Sequence, residues 1–148
     1  GKTAGTVTFE VTTVSNNGPF APRHIFAAWV EDEKGHFVKT LERRARNYIR
    51  FLEEWNKASD QNVVDAVTGA SLTSHRSHEL TWDCRDVDGE VVPDGVYVIR
   101  VEFSERNGSG PLLSRDATRF TKGPQAVSMN PDDEKYFKDI SLVYRTGP

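Results

Sequence analysis

The stretch Val96-Tyr97-Val98-Ile99-Arg100-Val101-Glu102-Phe103 constrains the fold more than any other part of the chain. Side chains of a strand alternate between two faces, and here both faces are largely apolar: Val96 and Val98 on one, Tyr97, Ile99, Val101 and Phe103 on the other. Such a strand needs material packed on both sides and is expected inside a sheet rather than at its rim. The rest of the chain must therefore supply partner strands and covering layers.

It does so with short β-like segments. Thr6-Val7-Thr8-Phe9-Glu10-Val11-Thr12 alternates with period two and reads as a half-buried strand. Asn16-Asn17-Gly18-Pro19 ends it. His24 to Glu31, carrying Ile25, Phe26, Ala28 and Trp29, and His36 to Leu41 flank the turn Asp32-Glu33-Lys34-Gly35 and form a hairpin. His78 to Asp83, a short Thr118 to Thr121 and Tyr136 to Tyr144 complete the set, with Asn107-Gly108-Ser109-Gly110-Pro111 and Asn130-Pro131 as breaks. Between them the periodicity changes. Tyr48, Phe51, Leu52 and Trp55 fall at i, i+3, i+4 and i+7, which predicts one helix from about Arg44 to Ala58 with an aromatic core stripe. Arg43, Arg44, Arg46 and Arg50, interleaved with Glu42, Glu53 and Glu54, then read as its solvated face. Ser59 to Ser77 is polar and reads as a long connecting loop.

About seven strands with turn signals and no βαβ alternation predict a mainly β fold, an antiparallel Ig-like or fibronectin-like sandwich, over a single domain 1–148 with a helix-and-loop insertion at about 43–77. The net charge of −3 argues against a broad nucleic-acid footprint, which needs clustered positive surface. A mean hydropathy of −0.58 and the absence of a long apolar run argue against a membrane span. The single cysteine, Cys84, excludes an intramolecular disulfide. The start at Gly1-Lys2-Thr3 is consistent with removal of a signal peptide.

Trp82-Asp83-Cys84-Arg85-Asp86-Val87-Asp88-Gly89-Glu90-Val91-Val92-Pro93-Asp94-Gly95-Val96-Tyr97 has its own physical reading. Trp82 plugs a core, Gly89 and Gly95 permit tight turns, and Tyr97 can anchor a corner through its hydroxyl. The same stretch, with Asp83 in place, resembles the Ig-like domain of the flagellar hook-capping protein, with Cys84 where that pattern carries glycine. A longer part of the chain resembles a family of predicted periplasmic proteins, domain of unknown function 2271. The matching pieces are Ala28-Trp29-Val30-Glu31-Asp32, Phe37-Val38-Lys39-Thr40-Leu41, Asp65-Ala66-Val67-Thr68-Gly69-Ala70-Ser71 and Trp82 to Tyr97. The first resemblance implies a sandwich; the second implies a periplasmic or secreted location.

Few residues point to chemistry. Thr68-Gly69-Ala70-Ser71 resembles the segment on which bacterial proteins carry covalent flavin mononucleotide, which would make Ser71 the acceptor hydroxyl and Thr68 part of its small-residue approach. His75 and His78 have a spacing that on a strand points them to opposite faces, so no metal site is expected from them. Asp83, Asp86 and Asp88 lack the spacing of a calcium loop. Cys84 sits among aspartates, which disfavours a thiolate. No nucleophile elbow is present. The expectation is a non-enzymatic binding or assembly module without a cofactor, whose partners are other cell-envelope proteins. The alternative is a periplasmic redox accessory protein associated with flavin transfer, either carrying flavin mononucleotide at Ser71 or acting beside the flavin-transfer machinery.

Overall fold

The computed structural model describes residues Gly1–Pro148 as two facing sheets. The first contains β1 (Gly5–Thr13), β5 (Ser77–Trp82), β8 (Val127–Met129) and β9 (Phe137–Thr146), in the order β5-β1-β9-β8. The second contains β2 (Ile25–Asp32), β3 (Phe37–Arg44), β4 (Val67–Gly69), β6 (Gly95–Ser104) and β7 (Phe120–Lys122), in the order β4-β3-β2-β6-β7. All pairings are antiparallel except β3 with β4. The mainly β sandwich expected from the sequence is the fold that forms, with nine strands rather than about seven. The two strands missed, β4 and β8, are three residues each, too short for a period-two signal.

Between the sheets lies a core of Val7, Phe9, Val11, Phe26, Ala28, Val30, Leu80, Trp82, Tyr97, Ile99, Val101, Phe103, Phe137, Leu142 and Tyr144, among others. β1 contributes every second residue, as its alternation requires. The other face of the second sheet is also covered. Ile25, Ala27 and Trp29 of β2 pack against Ala45, Leu52 and Trp55. This outer layer explains why β2 is apolar on both faces.

The helix differs from the sequence expectation of 44–58. β3 runs through Arg44, because Arg43 and Arg44 pair with Ala27 and Phe26 of β2. A 3-10 turn follows at Ile49–Phe51, and α1 covers only Glu53–Ser59. The four-residue α2 (Arg115–Thr118) was not anticipated; Ser114 caps it by accepting from Ala117 N–H. The predicted stripe divides at Leu52: Leu52 and Trp55 are fully buried, Phe51 half-buried, and Tyr48 47% exposed. Full burial of an apolar side chain is worth roughly 1.5–3 kcal/mol, so Leu52 and Trp55 anchor the segment without Tyr48. The arginines therefore do not share one helix face: Arg43 and Arg44 are strand residues, and Arg50 lies 4.4 Å over the Phe51 ring. The predicted 59–77 loop is likewise not structureless, since β4 adds in parallel to β3 and Leu72 bridges to His24.

Candidate functional site

The turn stretch before β6 keeps its side chains structural. Trp82 is buried, donates its indole N–H to Arg85 O at 2.9 Å, and lies 5.3 Å from the Tyr97 ring. The Tyr97 hydroxyl donates to Pro93 O at 2.7 Å, closing the corner into β6. Gly89 and Gly95 take positive φ values of 79° and 154°, which suit residues without a Cβ. Cys84 also has a positive φ, 60°, at the place where the resembled pattern has glycine, and its side chain is wholly buried. Burial pushes the Cys84 thiol up to about 11, with Asp83 and Asp94 adding to the rise, so it is no nucleophile. Asp83 accepts from Lys39 Nζ at 3.3 Å and from Arg85 N–H at 3.1 Å. Beneath this turn the buried Lys122 ammonium donates to Val92 O (3.0 Å) and Asp94 Oδ1 (2.8 Å). The Lys122 bond, with Thr3 N–H and hydroxyl, holds the Asp94 carboxyl well below the usual range.

The opposite end of β6 gathers a different chemistry. Glu105, just beyond Ser104, accepts from Ser15 Oγ (2.8 and 2.9 Å), Asn16 N–H (2.9 Å), Gly18 N–H (3.2 Å) and His75 Nε2–H (2.8 Å). Burial pushes its carboxyl up, but these donors together outweigh burial and hold it below the ordinary carboxylate range. His75 spans Glu105 and Thr13; a neutral ring protonated on Nε2, with the Thr13 hydroxyl donating to Nδ1 at 2.7 Å, satisfies both contacts. The His24 ring stacks on His75 at 4.0 Å, nearly parallel. His24 Nδ1 is 2.9 Å from Pro22 O, while its buried Nε2 has no partner. Burial lowers His24 to about 4, with the neighbouring histidines adding to the fall, so it is neutral at physiological pH. Below its unfolded value of 6.5, folding must forgo a proton at His24, and stability falls as pH drops toward 4.

Beside this network opens a cleft of about 340 Å³ lined by Phe20, Arg23, His24, Ile25, Tyr48, Ser71, Ser104, Arg106 and Asn107. Phe20 and Tyr48 are each 47% exposed, and their rings lie 6.5 Å apart with an interplanar angle of 26°. Arg23 and Arg106 bring two positive charges, and no carboxylate is in the lining. Glu105 holds the walls in register: its carboxylate ties down the 15–18 segment, and its carbonyl accepts from Phe20 N–H at 2.9 Å.

Of the residues singled out from sequence, Ser71 is exposed and lines this cleft. Thr68 is exposed on β4, opposite Arg43, and is not part of the cleft lining. Trp82, Asp83, Gly89, Gly95 and Tyr97 belong to the other turn region. His78 is buried rather than at the surface, stacked on Phe26 at 4.1 Å with Nδ1 3.5 Å from Glu42, because its strand position faces inward. His75, in the connection before β5, does not share that position. No group of three or more His, Cys, Asp or Glu side chains is placed to hold a metal ion. No helix is long and apolar enough to cross a membrane. Sequence reading missed Phe20, Arg23, His24, Glu105 and Arg106 as a group, because they lie far apart along the chain and no motif links them. Tyr48, expected in the core stripe of the helix, is instead exposed at this cleft.

A family model described as a predicted periplasmic protein, domain of unknown function 2271, matches residues 4–136. The chain belongs to this family of predicted periplasmic proteins. The family expected from the sequence is thus the one found, and its match reaches well beyond the pieces between Ala28 and Tyr97 that carried the resemblance. No curated protein matches the chain, and no solved structure does. The location of this domain of unknown function 2271 protein follows from its family: it is periplasmic.

Proposed function

We propose that this periplasmic protein is a non-enzymatic binding module whose ligand surface is the cleft beside Ser71. The observation that carries this reading is the convergence of Phe20, Tyr48, Arg23 and Arg106 on one opening with no carboxylate in its lining. Exposed aromatic rings offer stacking faces, and guanidinium groups offer charge-assisted donors to an anion. The fitting ligand class is a flat aromatic group bearing an anionic substituent. A binding role rather than catalysis is supported by the engagement of His75 at both ring nitrogens, which leaves it no lone pair for activating Ser71.

A second reading is favoured by one feature: the Ser71 hydroxyl stands exposed at the rim of this cleft, next to exposed Ala70. A flavin transferase could reach it: Ser71 Oγ would attack the flavin-side phosphorus of flavin adenine dinucleotide, the diphosphate P–O bond would break with AMP leaving, and the hydroxyl proton would pass to a base of the transferase, leaving the ring system against Phe20 and Tyr48. Titration of the purified protein with flavin mononucleotide, using uncharged riboflavin as control, tests the cleft. Tyr48→Ala and Arg106→Ala are each expected to weaken binding about tenfold, the order of one lost stacking or charge-assisted contact, with unchanged thermal stability. Absence of saturable binding, or equal binding of riboflavin, overturns the anionic aromatic ligand. Intact mass after co-expression with a flavin transferase separates the two readings: added flavin mononucleotide on the wild type and none on Ser71→Ala supports covalent attachment, and no added mass removes it.

A further inference from the structure

Outside the cleft lining, the rim of the first sheet carries a second feature. Four strands form the outer edges of the two sheets, and three of them (β4, β7 and β8) are only three residues long. Such short edges are a common way of blunting unwanted pairing. β5 is different. It is six residues, Ser77-His78-Glu79-Leu80-Thr81-Trp82, with no proline, and its register with β1 runs from Trp82 opposite Val7 to Ser77 opposite Thr12 without a bulge. It pairs only with β1. None of the backbone hydrogen bonds made outside the ladders involves Ser77–Trp82. Alternate N–H and C=O groups along the outer side of β5 therefore have no partner within the protein.

Two charge features sit on the same edge. A groove of about 270 Å³ lies between β5 and β3–β4, and Asp65, Glu79 and Asp83 line it against the single Lys39. Lys39 is already shared between Asp65 at 3.5 Å and Asp83 at 3.3 Å, both carboxylates more than half exposed. On the outer face, Glu79 stands directly opposite Glu10 of β1, both exposed, and neither takes part in an ion pair. Like charges directly opposite on adjacent strands destabilise the pair, and nothing inside the fold relieves this one.

We propose that the outer edge of β5 takes up an extended basic segment of another protein as an added strand. The unpaired backbone groups supply the main-chain bonds, as in strand addition elsewhere. Glu79 on the outer face, with Glu10 one strand behind it and Asp65 and Asp83 at the groove, selects for lysine or arginine at alternating positions. A second copy of this chain is the poorer occupant, since pairing two β5 edges brings Glu79 toward another Glu79. The site is independent of the Ser71 cleft.

The test uses the full chain and a labelled eight-residue peptide alternating lysine and valine, with an alternating glutamate and valine peptide as control. Fluorescence anisotropy reads affinity, and amide hydrogen exchange locates the contact. The lysine peptide is expected to bind saturably and to slow exchange within Ser77–Trp82, while the glutamate peptide does not bind. A Glu10→Lys, Glu79→Lys double variant is expected to weaken binding about tenfold or more, as attraction for the lysine peptide becomes repulsion, while its melting temperature stays level, since one exposed like-charge pair replaces another. That combination separates a lost contact from a damaged fold. A lysine peptide N-methylated at alternate residues along one edge should lose binding as well. The proposal is overturned by no saturable binding, by equal binding of the two peptides, by undiminished binding of the N-methylated peptide, by protection away from β5, or by β5 protection in the free protein through dimerisation.

Discussion

Replacing Glu102 by glutamine probes how the outer layer is held on. Glu102 lies on β6 beneath α1 and has no solvent exposure. α1 has no side-chain cap of its own; instead Glu102 Oε2 accepts from Glu54 N–H at 3.0 Å and Oε1 from Trp55 N–H at 2.9 Å. A strand carboxylate thus caps a helix remote in sequence. Burial pushes the Glu102 carboxyl up from 4.5 to about 7, against the pull of the two backbone donors, and the nearby Glu54 and Glu53 charges add to the rise. An acid with a raised folded pKa stabilises the fold fully below its unfolded value and loses that contribution as pH climbs through the folded one. The window here runs from 4.5 to about 7. The difference is worth on the order of 3 kcal/mol at 1.36 kcal/mol per pH unit. Glutamine keeps one acceptor oxygen but sets its NH2 group against the second N–H, and a buried unsatisfied donor costs about 1–3 kcal/mol. At pH 5 Glu102→Gln should therefore be the less stable protein by about that amount, or roughly 2–12 °C at about 2–4 °C per kcal/mol for a domain of this size. By pH 9 the wild type has lost its proton-linked stabilisation and the variant has not, so the two melting curves should meet or cross. Thermal unfolding by circular dichroism between pH 5 and 9 reads this directly. Parallel pH profiles for the two proteins would refute the reasoning, because they would mean that Glu102 does not titrate against burial.

Other substitutions address the turn before β6. Cys84 should resist Ellman's reagent at pH 8 in the folded protein and react fully in denaturant, and fast stoichiometric labelling of the native state would contradict its burial. Because Cys84 has a φ of 60°, Cys84→Gly should change stability by less than about 1 kcal/mol, relief of backbone strain offsetting the lost side chain, while β-branched Cys84→Val should cost about 2 kcal/mol or more. An ordering with valine above glycine in chemical denaturation would count against the left-handed backbone there. Tyr97→Phe removes the bond to Pro93 O and should lower stability by about 1 kcal/mol; an unchanged urea midpoint would show that this corner does not depend on the hydroxyl.

Legibility in the sequence followed how local each feature is. The period-two alternation of β1 and the doubly apolar run of β6 were readable because strand periodicity maps directly onto burial. The glycines and the corner tyrosine before β6 were readable because turn chemistry acts over a few residues. The helix was legible only in part. Spacing identified Leu52 and Trp55, but spacing does not say how far a partner surface extends, and the surface offered by Ile25, Ala27 and Trp29 ends before Tyr48. Ser71 was found through a four-residue resemblance, whereas the residues that share its cleft, Phe20, Arg23, Tyr48 and Arg106, come from distant parts of the chain.

What the sequence determined by itself was the class of the fold, its family and hence its compartment, and the turn that launches the doubly buried strand. The fold class and the turn rest on hydrophobic period and on local backbone preference, which neighbouring residues express without help from the rest of the chain; the family, and with it the compartment, rests on the resemblance carried by short stretches such as Trp82 to Tyr97. Tertiary structure alone decided that Tyr48 would join Phe20 at a cleft instead of a core, that His24, His75 and Glu105 would meet at the end of β6, and that β5 would be left as the long free edge. Each of these depends on which surfaces the two sheets happen to cover. Covering is a property of the assembled layers, set by burial and by pairing across long separations, and no short stretch of the chain encodes it.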